Sequence, residues 1–446
     1  MFEGGRMTNL SSAEEGRFSS VLIPAESRTS SRRSVVGTII GNWLEVFDFT
    51  VYATFAVIIG KQFFPVSDPN GQILLSLATF GVGYLARPLG SVVIGGYADR
   101  AGRKAALSLT ILLMAGGTGM IAFTPSYDRI GLAAPLLIVF ARLLQGFSAG
   151  GEIGTATTYL VEQAPAGRRG FFGSWQIASQ GLAVGTGAVI GFALGQFLPT
   201  DQMENWGWRV PFVLGLLIAP VGFYIRRHMN ETAHARDHDG NVATIFRSLF
   251  TEHLSSVFAG IMSVMGATIT AYVLNGYMIT YSIQSLGMPM TTAMLAGVIG
   301  GGVTFVGALW GGYLSDHFGR RPLAVWPRVL LLILAYPAFL LVAQYKTLSI
   351  LLPVIAVLSM LQAMSGAVGL VLLPECFPRK IRVASLSTIY AIATTLFAGT
   401  APVISAWLVA KTGSPVSIAW YLIIANIATT LSFLALRPPR EDEILN

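Results

Sequence analysis

Cysteine is nearly missing: the 446 residues hold a single one, Cys376. That excludes an intramolecular disulfide and any thiolate metal cluster. Charge is scarce as well. Asp, Glu, Lys and Arg make up 11% of the chain, against roughly 25% in a soluble domain, while hydrophobic residues reach 53% and mean hydropathy is +0.63. Soluble cores contain isolated apolar runs, but not runs of roughly 20 apolar residues recurring end to end with short polar gaps. A secretory signal is also lacking, because Met1 to Arg33 is rich in Ser, Glu and Arg and offers only the short apolar run Val21-Leu22-Ile23. That tail is expected to be disordered and cytoplasmic, leaving the first long apolar segment to direct the chain into an inner or plasma membrane. No enzyme signature is present. His228, His234 and His238 fall in one polar loop at spacings of 6 and 4, and without a helix or a supporting carboxylate they read as a solvated linker rather than a metal site. No metal, cofactor or nucleic acid is expected.

What is present is a series of about twelve apolar segments, at approximately 35–60, 72–96, 105–125, 133–160, 171–197, 208–225, 253–284, 291–315, 323–345, 347–373, 383–410 and 417–437. The net charge of +7 would suggest nucleic acid in a soluble protein, but its distribution says otherwise. Arg100, Arg103 and Lys104 follow the second segment and Arg168 and Arg169 the fourth. Arg226, Arg227, Arg236 and Arg247 follow the sixth, Arg320 and Arg321 the eighth, and Arg379, Lys380 and Arg382 the tenth. The opposite loops carry little beyond Lys61, Arg129, Arg209, Lys346 and Lys411. This positive-inside pattern predicts an all-α protein of twelve transmembrane helices with both termini cytoplasmic. The expected organisation is an N-tail over 1–34, a six-helix bundle over 35–225, a cytoplasmic linker over 226–252, a second bundle over 253–437 and a C-tail over 438–446.

The two bundles are duplicates. Asp99 and Asp316, Gly102 and Gly319, and Arg103 and Arg320 are each 217 positions apart, while Glu162 and Glu375, Pro165 and Pro378, and Arg169 and Arg382 are each 213 apart. Constant offsets of this kind mark the internal repeats of secondary carriers, whose solute site lies near mid-bilayer between the repeats. The repeated loop, Gly95-Gly96-Tyr97-Ala98-Asp99-Arg100-Ala101-Gly102-Arg103-Lys104 and again Gly311-Gly312-Tyr313-Leu314-Ser315-Asp316-His317-Phe318-Gly319-Arg320-Arg321, resembles the signature loop of the major facilitator superfamily. The resemblance runs from about Val35 to Arg440. In this loop Gly permits tight helix contact, Asp caps or salt-bridges a neighbouring helix end, and the basic residues stay outside the bilayer. Asp99 with Arg169, and Asp316 with Arg382, are expected to form gating latches that hold an outward-open state, with Arg103 and Arg320 beside them.

Ionisable residues within spans are functional candidates by default. Five stand out, all in the first bundle: Glu45, Asp48, Arg87, Arg142 and Glu152. At 1.5 Å per residue Glu45, Arg87 and Glu152 lie roughly 15 Å deep, with Asp48 and Arg142 farther toward the external side and able to pair. Asn42, Glu45, Asp48 and Tyr52 share one face of the first span, and Arg142, Gln145, Ala149 and Glu152 one face of the fourth. Both faces are expected to look into the cavity. Fully ionised, three carboxylates against two arginines leave one negative charge, which a proton can relieve, and an anion then enters more easily with that proton than without it. Static ion pairs, Asp48 with Arg142 and Glu45 with Arg87, are the plainer alternative.

The segments Gly41-Asn42-Trp43-Leu44-Glu45-Val46-Phe47-Asp48-Phe49, Arg142 with Leu144-Gln145-Gly146-Phe147-Ser148-Ala149-Gly150-Gly151-Glu152, and Arg168-Arg169-Gly170-Phe171 with Ser174-Trp175-Gln176 resemble the metabolite:proton symporters of that superfamily. Trp206-Gly207-Trp208-Arg209-Val210-Pro211-Phe212 and Thr400-Ala401-Pro402-Val403-Ile404-Ser405 are most similar to its citrate and tricarballylate carriers. The resemblance implies proton-coupled symport of a small di- or tricarboxylate by a monomer, with protons as the coupling ion. Glu45, Asp48 and Glu152 are the candidates for proton coupling. Arg87 and Arg142 are the candidate carboxylate forks, with Tyr52, Tyr84, Gln176, Gln180, Tyr272, Asn275, Tyr277, Tyr281, Gln362 and Tyr390 as neutral donors. Arg328, about two turns into its span, is expected to snorkel outward and is held as a reserve candidate for the solute. The competing readings are symport of a zwitterion such as proline or betaine, for which aromatic cages are wanted, and a drug exporter, which two buried arginines disfavour.

Overall fold

The computed structural model describes residues 25–101, 103–150, 152–216, 220, 251–378 and 381–436. Among them every regular element is helical. Eight helices are long and apolar enough to cross a membrane unaided, and a ninth crossing is a bent pair. The apolar helices Ser108–Phe123 and Ala133–Ser148 supply the third and most of the fourth span, and a helix that opens at 210 begins the sixth. The chain is therefore a multi-pass membrane protein with a twelve-helix architecture.

Most spans fall where hydropathy puts them. The fifth is Arg169–Phe197, the eighth Met290–Phe318, the ninth Arg320–Tyr345, the tenth Leu348–Glu375 and the twelfth Val416–Ala435. The first helix, Ala25–Thr54, starts inside the segment read as a tail. Of the expected linker over 226–252, residues 226–250 with the three histidines lie outside the described residues, as does the C-tail.

Several spans are interrupted, and the local chemistry accounts for it. The first bends by 63° between Val35–Thr54 and Ala56–Phe63. Before the bend, Thr50 and Thr54 donate their hydroxyls back to the carbonyls of Phe47 and Thr50, at 3.1 and 2.9 Å, a habit that bends helices. The second divides into Pro69–Leu85 and Arg87–Ala101. Pro88 has no N–H to give the Tyr84 carbonyl, which instead accepts from Thr395 Oγ1 of the eleventh span at 3.1 Å. The seventh and eleventh spans carry π-helical turns at Val273–Tyr277 and Thr394–Ala398. Between the eighth and ninth spans the turn is one residue, Gly319, at φ +89°, a backbone value that glycine alone adopts without strain.

The halves meet most extensively along the fifth and eighth spans. A Cβ on Gly301 would overlap the backbone of Gly185 and Gly181, so these glycines let two antiparallel helices touch main chain to main chain. The tenth span also packs on the fifth, and the eleventh on the second and fourth.

Candidate functional site

The site begins with a close helix crossing. A Cβ on Gly146 of the fourth span would overlap the Gly83 carbonyl of the second, and one on Gly83 would sit 2.9 Å from the Arg142 carbonyl. With hydrogen at both positions the spans approach closely enough for Arg87 and Arg142 to share one aromatic ring. Phe49 of the first span lies 4.7 Å from the Arg87 guanidinium carbon and 4.5 Å from that of Arg142. Tyr84 covers Arg87 at 4.3 Å, and Tyr52 and Phe80 cover Arg142 at 4.6 and 5.0 Å. Aromatic faces solvate a buried cation where water is excluded.

Glu45 and Arg87 form the ion pair of the plainer alternative, Oε1 to Nη2 at 3.7 Å, with both side chains buried. Asp48 and Arg142 do not pair directly. Arg142 Nη1 donates to Gln145 Oε1 at 2.8 Å, Gln145 Nε2 to Thr118 Oγ1 at 2.9 Å, and Thr118 Oγ1 to Asp48 Oδ2 at 2.8 Å. The acid and the base are thus joined through two neutral groups. The Thr118 hydroxyl has a second acceptor, the Met114 carbonyl at 3.0 Å, so its single proton can turn from the carboxylate to the backbone. Depth counted along the first and fourth spans placed Asp48 near Arg142, but did not show that the third span inserts Thr118 between them.

A cavity of about 80 Å³ lies between the halves, lined from the first by Val46, Thr50, Ala53, Phe80 and Gln180, and from the second by residues including Tyr272, Asn275, Thr304, Gln362 and Tyr390. Gln180, Tyr272, Asn275, Gln362 and Tyr390 were all expected there. The expectation that the charged faces open onto the cavity is corrected. On the first span the cavity face is Val46, Thr50 and Ala53, while Asn42, Glu45, Asp48 and Tyr52 point into the first bundle. Arg87 and Arg142 stand behind a screen of rings. Phe80 and Tyr272 are 6.0 Å apart between centroids, Tyr84 and Tyr272 5.7 Å, and the two tyrosine hydroxyls hydrogen-bond across the halves. Tyr52 gives its hydroxyl to the Ser76 carbonyl at 3.3 Å.

Three other expected donors have different work. Gln176 Nε2 donates to Asn42 Oδ1 at 2.6 Å, and Asn42 Nδ2 reaches the Gln176 carbonyl and Ser179, which fastens the fifth span to the first. Tyr277 and Tyr281 are buried with centroids 6.4 Å apart and do not line the cavity; their spacing put them on one face of a helix, but that face packs elsewhere. Glu152 opens the helix Glu152–Glu162, and its side chain, like those of Asp99 and Arg103, lies outside the described residues.

At the end of the molecule carrying the basic loops, Asp316 bridges the halves with partners other than the expected Arg382. It accepts from the backbone N–H groups of Gly170 and Phe171 at 2.7 and 2.9 Å, where the fifth span begins, and from Arg320 Nη1 at 3.1 Å. Arg320 Nε also holds Glu375 at 3.1 Å. A carboxylate at two unsatisfied helix N-terminal donors is favoured by both hydrogen bonding and the helix dipole. Arg382 gives Nε–H to the Phe377 carbonyl at 2.9 Å, and Arg169 is exposed. At the opposite end Gln284 Nε2 reaches Asn70 Oδ1 at 2.5 Å. Both ends of the cavity therefore have contacts between halves.

Thr118, one hydroxyl among many in an apolar span, gave the sequence reading no signal, and Arg328 entered it only as a reserve candidate. Arg328, expected to snorkel, is instead fully buried, with Nε on Ser365 Oγ at 3.0 Å and Nη1 on Asn426 Oδ1 at 2.5 Å.

Comparison with known proteins agrees with this architecture. The chain is 38% identical over 394 residues to a citrate-proton symporter of Klebsiella pneumoniae, covering 88% of each chain. It is 35% identical over 428 residues to the glycine betaine/proline/ectoine/pipecolic acid transporter OusA of Dickeya dadantii (strain 3937), covering 91% of this chain and 83% of that one. The crystal structure of a D-xylose-proton symporter superposes with a TM-score of 0.71 at 19% identity, over 91% of this chain and 97% of the other, a likeness of fold. The Major Facilitator Superfamily model matches residues 38–366, and the chain belongs to the Major Facilitator Superfamily.

Proposed function

We propose that this protein is a proton-coupled symporter of a small organic acid anion, a di- or tricarboxylate such as citrate or tricarballylate, working by alternating access in a bacterial inner membrane with both termini cytoplasmic. The observation that carries this reading is the buried set of opposite charges behind the rings of Phe80, Tyr84 and Tyr272, beside the cavity between the halves. Citrate–proton symport in a relative at 38% identity supports the solute class.

In this reading Glu45, Asp48 and Glu152 are the candidates for the coupled proton, and Asp48 is the one tied to its cation through a hydroxyl that can turn. Protonation of Asp48 lets the Thr118 hydroxyl turn to Met114, weakening the tie to Gln145 and Arg142. The guanidinium is then freer to meet a carboxylate, once the tyrosine screen parts as the halves rock. Gln180, Tyr272, Asn275, Gln362 and Tyr390 supply neutral donors on the cavity wall, and the Asp316–Arg320–Glu375 network is the latch at the cytoplasmic end. Arg328 adds a cation, so Glu45, Asp48, Glu152, Arg87, Arg142 and Arg328 balance when ionised. One added proton then makes room for one anionic charge.

The second reading is symport of a zwitterion such as proline or betaine. OusA at 35% identity favours it, as do the rings of Phe80, Tyr272, Tyr390 and Phe433 on the cavity wall, since aromatic faces attract quaternary ammonium. Proteoliposomes offered labelled citrate, tricarballylate, 2-oxoglutarate, proline and betaine, with and without an inward proton gradient, separate the two. Gradient-stimulated carboxylate uptake is expected; uptake of betaine and of no carboxylate would overturn the first reading.

A further inference from the structure

Arg328 is a buried cation without a carboxylate among the described residues. Its contacts are neutral: Ser365 of the tenth span, Asn426 of the twelfth and the Phe433 ring at 6.0 Å. Nη2 has no hydrogen-bond partner among the described residues. A residue needed only to clamp the ninth, tenth and twelfth spans could do so with a neutral amide, and burying an uncompensated guanidinium costs several kcal/mol. The charge itself therefore calls for an anion.

The cavity is close by. Phe433 and Gly369 both line it, and the Phe433 ring packs against Gly369, where a Cβ would come within 2.7 Å of the ring edge. Gly366, next in the chain to Ser365, lines it as well. With no side chain at Gly369 the ring has bare backbone along which to slide. Phe433 and Gly369 lie near the basic-loop ends of Val416–Ala435 and Leu348–Glu375, so Arg328 flanks the cavity floor on that side.

We infer that Arg328 is a carboxylate anchor contributed by the second half: when the Phe433 ring moves aside, the free Nη2–H of Arg328 pairs with a carboxylate of the solute at the basic-loop end of the cavity. The inference rests on the organic-acid reading above. It gives a di- or tricarboxylate one cationic contact in each half, which a single-carboxylate zwitterion cannot use at once, and it commits the second half to more than neutral hydrogen bonding.

The test uses the full-length protein in proteoliposomes and in detergent, with citrate as the probe. Arg328→Gln is expected to raise the KM for citrate by about ten- to a hundred-fold, the worth of a charged hydrogen bond, and to shrink the citrate-induced rise in Tm, while the Tm without citrate stays level or climbs as the uncompensated charge is removed. Arg328→Lys, which keeps the charge without the fork, is expected to fall between. Arg328→Gln with a wild-type KM and a lowered unliganded Tm overturns the inference in favour of a clamp. Should Arg328→Gln not fold, a citrate KM in Arg328→Lys equal to wild type overturns it equally. Wild-type vesicles that take up no carboxylate remove the organic-acid reading before any variant is measured, whereas wild-type carboxylate uptake with unaffected Arg328 variants removes this inference alone.

Discussion

At the scale of single residues, the first bundle holds its charges in two different ways. Glu45 and Arg87 are in ionic contact at 3.7 Å, and Asp48 is separated from Arg142 by Thr118 and Gln145. A direct buried pair resists protonation because the loss of one charge strands the other. A pair joined through a hydroxyl that can turn is easier to switch. Thr118→Val, close in shape but without the hydroxyl, is therefore expected to keep solute counterflow and lose gradient-driven accumulation, while Thr118→Ser keeps both; equal loss of counterflow in Thr118→Val would contradict a coupling role. Gln176 is the contrasting case. Its bonds to Asn42 hold two helices and nothing else, so Gln176→Leu should lower stability by about 1 kcal/mol, read as a falling Tm in detergent, and leave the solute KM unchanged.

At the scale of elements, backbone interruptions set where the site forms. The crossing of the second and fourth spans depends on Gly83 and Gly146, and Gly146→Ala is expected to force them apart at about 1–3 kcal/mol of overpacking and to abolish uptake by drawing Arg142 off the Phe49 ring. Wild-type transport in that variant would show that the shared ring is dispensable. Element positions were largely legible from hydropathy, because a bilayer imposes a length rule that a run such as 290–318 satisfies by itself. The break at Ala86 was legible in principle from Pro88. The π turns at Val273–Tyr277 and Thr394–Ala398 were not, since no local residue compels them. The face a span presents was equally hidden. Tyr277 and Tyr281 lie four apart and do share a face, but the sequence does not say which neighbour that face meets, and Arg328 was misjudged because depth was counted along its own helix without the tenth and twelfth spans that enclose it.

At the scale of the whole molecule, the halves are held at the basic end by Asp316 on the N-terminus of the fifth span, and the sole cysteine stands beside that network. Burial, and then the neighbouring Glu375 carboxylate, push the Cys376 thiol up to about 11. Only the thiolate reacts with maleimide, so labelling of the closed protein is expected to be slow at neutral pH and to accelerate as pH rises toward that value. Asp316→Asn loosens the network, hydrates Cys376 and should speed labelling at pH 8; an unchanged rate would mean that Asp316 fixes topology and does not hold the halves together. The repeats that position this network were readable as constant offsets in the sequence, and the partners of Asp316 were not, because they are backbone groups that carry no residue signature.

Proton–anion coupling is tested most directly by watching the proton itself. In vesicles loaded with a fluorescent pH indicator and set at equal pH on both sides, with the membrane potential clamped, an inward citrate gradient is expected to acidify the lumen as citrate enters, and Asp48→Asn to abolish the acidification. Citrate entry with no change in lumenal pH, or acidification driven by betaine and by no carboxylate, would contradict the account.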